Sequence, residues 1–186
     1  MNREEWLHAL CGKFNELFKG IGYEIPPNIK ISCGFPSKGV RSKSIGECWD
    51  NDCSDGKFSE IFISPKLDEP LVVASTLVHE IIHATIGVKE KHNKVFKDMA
   101  LKIGLEGKMT ATVAGEGLKD KLTKILSEMD KYPHSKLNPR IIKTTSKKNS
   151  YKIFCVCGYI VRTSPKWIAR GVPTCFCGKA MELEGN

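Results

Sequence analysis

Hydrophobic positions recur with a helical period at the start of the chain. Trp6, Leu7, Leu10, Phe14, Leu17 and Phe18 are spaced by threes and fours, so residues 3–19 are expected to form an amphipathic helix. Gly20 and Gly22 would stop it. After Pro26 and Pro27, the alternation Ile29-Lys30-Ile31-Ser32-Cys33 reads as a short strand. Two more strands are expected at 44–49 and 59–64, joined by the polar turn of residues 50–56. Pro70 then opens an apolar helical stretch over 71–88, since proline fits a first helical turn, and Gly87 is its expected terminator. Val95, Phe96, Met99, Ala100 and Ile103 share one side of a further helix over 93–103. Gly104, Gly107, Gly115 and Gly117 bracket a segment expected to be irregular, and 118–129 reads as helix again. Pro133, Pro139 and the polar run 143–150 mark residues 131–150 as a linker before a last unit over 151–186.

At 186 residues, the chain has room for one catalytic-sized domain and a small appendage. Hydrophobic residues at 41% and charged residues at 27% allow a packed core and argue against global disorder. No apolar run approaches the ~20 residues needed to span a bilayer, because His79, Glu80 and His83 interrupt the greasiest stretch. The opening Met-Asn-Arg-Glu-Glu-Trp is charged and lacks the apolar stretch of a secretory signal. A cytoplasmic protein without membrane partners is therefore expected. In that compartment the eight cysteines read first as metal ligands or buried thiols, and only then as disulfides.

The net charge of +8 is unevenly spread: residues 131–181 hold eleven Lys and Arg and no Asp or Glu. A near-neutral body thus carries a strongly basic C-terminal third, the footprint of a protein that meets a polyanion, most often nucleic acid. The plainer reading is a solvated basic surface that aids solubility.

Within the apolar helix, His79-Glu80-Ile81-Ile82-His83 has the pattern H-E-x-x-H. Residues i and i+4 lie on one helix face, so both imidazoles can address one Zn2+. Glu80 beside them can act as general base toward a metal-bound water. A catalytic zinc usually has a third protein ligand. His92 is the best candidate, reached by a turn at Gly87; Glu106 or Glu116, and less readily Cys48 or Cys53, are alternatives. A metzincin is excluded, because its third histidine would fall at position 89, which is Lys.

These residues, in the order helix, three strands, H-E-x-x-H helix, then His92 with Phe96 opening another helix, resemble the SprT-like family of zinc metallopeptidases. The likeness covers roughly residues 3–103 and 151–183. It implies that His79, His83 and His92 bind the catalytic zinc, that Glu80 is the base, and that the substrates are DNA-associated proteins. The sequence departs from that pattern in the short gap between His83 and His92, and in Asn93, where many relatives have glycine. The stretch 104–137 resembles that of small phage-encoded metallopeptidases, which implies a phage-infected host cell or the nucleoid as the setting.

Cys155-Val156-Cys157-Gly158 and Cys175-Phe176-Cys177-Gly178 supply four thiolates in two pairs, each followed by glycine, as a four-cysteine zinc ribbon requires. So small a unit buries little surface, and metal binding would supply most of its folding free energy. Aromatic and cationic residues interleave here. Phe154 and Phe176 are expected in the ribbon core, and Lys152, Arg162, Lys166, Trp167 and Arg170 on a surface that stacks bases and meets phosphates. Cys11 and Cys33 read as buried thiols, and His134 as a solvated linker histidine.

The expected fold class is α+β: a zincin-like metallopeptidase domain with a small three-stranded sheet (1–130), a basic linker (131–150) and a zinc ribbon (151–186). The expected function is a monomeric zinc endopeptidase that needs two Zn2+, one catalytic and one structural, and acts on proteins associated with nucleic acid, DNA above all. The competing expectation is a two-zinc nucleic-acid-binding regulator without peptidase activity.

Overall fold

Asn2 starts the first helix with a capping box: its side chain accepts from the Glu5 amide while the Glu5 carboxylate accepts from the Asn2 amide. The amphipathic stretch is two helices rather than one, α1 (Arg3–Lys13) and α2 (Asn15–Lys19), because the chain tightens at Phe14, whose amide is shared between the Leu10 and Cys11 carbonyls. The apolar stripe survives the break. Trp6, Leu7, Leu10, Phe14 and Phe18 are all fully buried.

The computed structural model describes residues 1–139 and 150–184. They fall into two compact units, Met1–Pro139 and Arg140–Asn186. In the first, β1 (Ile29–Cys33), β2 (Gly46–Trp49) and β3 (Ser59–Ile63) form a sheet of order β1-β3-β2. The central strand β3 runs parallel to β1 and antiparallel to β2. β2 starts two residues later than the alternation suggests, because the Ser44 amide turns back to the Ser42 hydroxyl. Ile29, Ile31, Cys48, Ile61 and Ile63 face the core; Lys30, Glu47, Trp49, Glu60 and Phe62 alternate with them on the other face.

α3 (Pro70–Ile86) is capped by the Glu69 side chain, which accepts from the Val72 amide, and ends at Gly87 with φ 91°. It packs on the sheet, on α4 (Lys94–Ile103) and on α5 (Glu116–Ser127), which is why its sequence is apolar almost all round. The glycine-rich segment expected to be irregular is a hairpin, β4 (Leu105–Lys108) with β5 (Ala111–Ala114). Glycine weakens the strand signal in sequence, yet Gly107 at φ 90° takes a backbone conformation that a side chain would resist.

The expected linker is corrected in its first part. Tyr132 is buried with its ring 4.6 Å from that of Trp6, whose indole N–H donates to the Asp130 carbonyl at 2.8 Å. The Leu137 amide donates to the Pro65 carbonyl, and His134, far from solvated, reaches Pro65 O at 2.9 Å and Arg3 at 3.4 Å. Residues 131–139 are therefore strapped to the first unit by an aromatic anchor that their prolines obscure. The rest of that linker, 140–149, and the final residues 185–186 lie outside the described residues.

The second unit is a small sheet of order β7-β6-β8, from β6 (Tyr151–Phe154), β7 (Ile160–Thr163) and β8 (Glu182–Leu183), with the one-turn α6 (Pro165–Ile168). Its buried core is Ile153, Cys155, Cys175 and Met181. Phe154 is half-buried, but Phe176, expected inside, is 83% exposed. It stands between two inward-turned thiols, so the knuckle that aims both sulfurs inward aims the residue between them outward. The chain is thus α+β with small sheets and a four-cysteine cluster compatible with a zinc ribbon. Among the described residues no helix is long and apolar enough to cross a membrane.

Trp6 holds both the first helix and the strap at residues 130–132. Trp6→Ala is expected to cost about 3–5 kcal/mol, read as a lower denaturant midpoint for the first unit.

Candidate metal centres

α3 presents His79 and His83 one turn apart, with Glu80 beside them. The chain then leaves the helix at Gly87, makes a single 3-10 turn over Val88–Glu90 and passes through Lys91 at φ 49°, ψ −130°. Such a backbone in a residue with a side chain costs about 1–3 kcal/mol. What it achieves is the return of His92 to α3. Asn93 then starts α4 by accepting from the Val95 and Phe96 amides, a capping role that glycine could not fill with a side chain. The short gap and the Asn93 departure are thus two parts of one tight turn.

The three Nε2 atoms converge: His92 lies 3.2 Å from His79 and 3.2 Å from His83. Nitrogens bound tetrahedrally at the ~2.05 Å typical of zinc would stand about 3.3 Å apart. Donor atoms of all three histidines lie within 4.8 Å of one another, whereas Glu106, Glu116, Cys48 and Cys53, the other possible third donors, are outside the group.

Phe96 supports the cluster from below. Its fully buried ring stacks on His83 at 4.5 Å and contacts His79 and His92 at 4.8 and 4.9 Å. Thr112 on β5 meets His79 Nδ1 at 2.8 Å, so an N–H there leaves Nε2 with its lone pair toward the cluster. Burial, then the charges of His83 and His92, push the His79 pKa down to about 3. Burial, then His92, brings His83 down to about 4, and burial lowers His92. The rings are therefore neutral at pH 7, the form in which an imidazole can bind a cation.

Glu80 is buried under β2. Burial and then the charge of Glu47, with no described hydrogen bond to offset them, push its pKa up to about 8. A side chain on Gly46 would put its Cβ 2.5 Å from Glu80 Oε1 and 2.8 Å from Thr76 Cγ2, so only glycine lets strand and carboxylate come so close. The cluster and Glu80 line a cleft of about 570 Å³ together with Lys43, Glu47, Lys91 and Thr112.

In the second unit, Cys155 and Cys177 Sγ are 3.5 Å apart and Cys157 and Cys175 Sγ 3.6 Å apart, and all four sulfurs fall within 4.8 Å. These separations exceed the ~2.05 Å of a disulfide and approach the ~3.8 Å edge of a tetrahedral zinc–thiolate site. The two knuckles match. The Gly158 and Gly178 amides donate to the Cys155 and Cys175 carbonyls, with φ of 89° and 83°. The Tyr159 amide, more than the neighbouring thiols, lowers the Cys157 pKa to about 7.

The expected nucleic-acid residues divide. Trp167 is 54% exposed, with Arg170 5.2 Å and Lys166 5.7 Å from its ring. Arg162 is exposed opposite Lys152 in the β6–β7 register, but Lys152 is paired with Glu184 at 2.5 Å. No family model, curated protein or solved structure matches the chain.

Thr112, Gly46 and Phe96 are the residues that sequence reasoning assigned no part in the site. Gly46 carried a signal as a glycine inside a strand, which often marks a close approach, and Phe96 as part of the family resemblance and of an apolar helix face.

The two clusters predict two divalent metal ions per chain by elemental analysis. His92→Ala should leave one, held by the four cysteines; unchanged stoichiometry would remove His92 from the centre.

Proposed function

We propose that the first unit is a zincin-like zinc endopeptidase of the SprT-like kind, and that the second is a zinc ribbon that docks nucleic acid, so that cleavage falls on proteins associated with it. The observation that carries the peptidase reading is Glu80, a buried carboxylate beside three converging imidazoles at the floor of an open cleft. Three neutral nitrogen donors suit Zn2+ with one position left for water. When bound by His79, His83 and His92, such an ion supplies Lewis acidity and lowers the pKa of water near it.

The remaining steps belong to the chain. Glu80, which burial holds toward the protonated form, would be restored to the carboxylate with such a charge beside it, the form able to accept a proton. Glu80 takes that proton from the attacking water and delivers it to the leaving amine. β2 is the edge of its sheet, so one side of its backbone is free to pair with an extended peptide along the cleft. Thr112 keeps His79 in one tautomer and one orientation.

Trp167 supports the docking role, as an exposed indole flanked by two cations. Indole can stack on a base while Lys166 and Arg170 meet phosphates, a combination that favours single strands.

Glu80→Gln should retain both metals and lose at least about a hundredfold in the rate of cleavage of an unstructured protein substrate, measured by gel or mass spectrometry. A Gln variant that cleaves normally would overturn the assignment of Glu80.

Binding of a single-stranded oligonucleotide to the full chain should weaken steeply with salt, and Trp167→Ala should weaken it about tenfold in fluorescence anisotropy. Unchanged affinity in Trp167→Ala and Arg170→Ala would refute the stacking surface.

A further inference from the structure

The solvent face of the first sheet holds a groove of about 360 Å³ that the peptidase reading does not use. Phe35, Trp49 and Phe62 wall it, with Ser37, Cys53, Glu47 and Glu60 completing the lining. Glu47 and Phe62 are direct partners in the β2–β3 register, as are Trp49 and Glu60, so two aromatic–carboxylate pairs lie side by side on one face. Glu47 also lines the metal cleft. The groove and the cleft therefore meet at the edge strand.

The carboxylates in this groove are held in place. Glu47 accepts from the Ser37 amide at 2.6 Å, the Ser37 hydroxyl at 2.7 Å and the Trp49 indole at 3.1 Å. All three donors are neutral. Among the described residues, no Lys or Arg nitrogen lies within 4 Å of Glu47. Glu60 has one distant cation, Lys30 at 3.8 Å, and that same ammonium sits 4.1 Å from the Phe58 ring centre. The face thus already holds one cation between a ring and a carboxylate. Glu47 and Trp49 offer the same pair of partners with the cation missing.

We propose that this groove is a specificity subsite for a Lys or Arg side chain of the peptide substrate, an inference that rests on the peptidase reading above. A peptide paired with the free edge of β2 sends alternate side chains to the two faces of the sheet. Those on the outer face meet Trp49, Glu47 and Glu60. An ammonium or guanidinium there gains both the aromatic faces and the two carboxylates, while an acidic side chain is repelled. Proteins that bind nucleic acid are rich in such cations, so the subsite would select among the substrates that the ribbon brings near.

The test uses fluorescent peptides of one sequence that carry Lys, norleucine or Glu in turn at each position flanking the scissile bond. At one position kcat/KM should favour Lys over norleucine by about tenfold, with Glu worst. Glu60→Gln and Trp49→Ala should each bring the Lys-to-norleucine ratio close to one, and Glu60→Lys should shift preference toward the Glu peptide. Equal rates for the three peptides at every position overturn the subsite, as does a Lys preference untouched in Glu60→Gln and Trp49→Ala. Should no peptide be cleaved, the peptidase reading fails by itself. Anisotropy of the same peptides on full-length Glu80→Gln then decides the groove: tighter binding of the Lys peptide, lost in Glu80→Gln/Glu60→Gln, supports it, and equal binding refutes it.

Discussion

The close approach of α3 to the edge strand β2 is the contact on which the first unit's chemistry depends. It exists because Gly46 has no side chain: the space a methyl would fill is taken by Glu80 Oε1 and Thr76 Cγ2. Two consequences follow from that one absence. Glu80 is buried under the strand, where its carboxyl loses solvation, and the strand's free edge comes to lie directly over the histidine cluster's cleft. A larger residue would have to push the Glu80 and Thr76 side chains out of that space. The hydrophobic surroundings of α3 serve the same end, since a helix packed by sheet, helices and hairpin cannot slide to relieve the crowding.

His92 Nε2 stands 3.2 Å from both other Nε2 atoms, an arrangement that pairwise hydrogen bonding cannot satisfy, because that nitrogen offers either one N–H or one lone pair. Thr112 draws an N–H to the far side of His79, and Phe96 presses all three rings into register from below. The backbone strain at Lys91 belongs to the same account. Strain of this kind persists only where the surroundings over-determine it, and here Gly87 before it and the Asn93 cap after it fix both ends of the turn. The cluster is thus preorganised by packing and by a strained loop. A cation would complete it electrostatically.

Much of this was readable in the chain. The period of α1, the alternation of β1 and the apolar run of α3 each reported burial, and burial is what hydrophobic spacing encodes. His79, Glu80, His83 and the four ribbon cysteines were legible because metal chemistry demands fixed spacings within one turn or knuckle. His92 was legible only as one option, since its place depends on a turn whose torsions no pattern records. The β4–β5 hairpin escaped because its strands are four residues long, one of them bears a glycine and glycines flank them, and with it went Thr112. Tyr132 escaped because Pro133 and Pro139 after it spoke for a linker while its ring packed on Trp6, more than a hundred residues away in sequence. Phe176 misled in the opposite sense: large aromatic residues usually report a core, but a knuckle fixes direction before hydrophobicity can.

The two clusters differ in what a metal does for the fold around them. The first unit has a continuous core from Trp6 to Tyr132, and its histidines lie at the edge of that core. Its fold rests on burial, and a metal there would add little to it. The second unit buries four residues, two of them cysteines of the cluster itself, so apart from the β6–β8 pairing a metal there would supply most of what ties the two knuckles together. The charge divides along the same line. Glu47, with no Lys or Arg nitrogen within 4 Å among the described residues, and Glu60 line the groove of the first unit, and the cations concentrate in the last third of the chain. On the proposed function, a near-neutral unit with a local acidic groove and a strongly basic second unit would let one chain meet a basic protein and a polyanion through different surfaces.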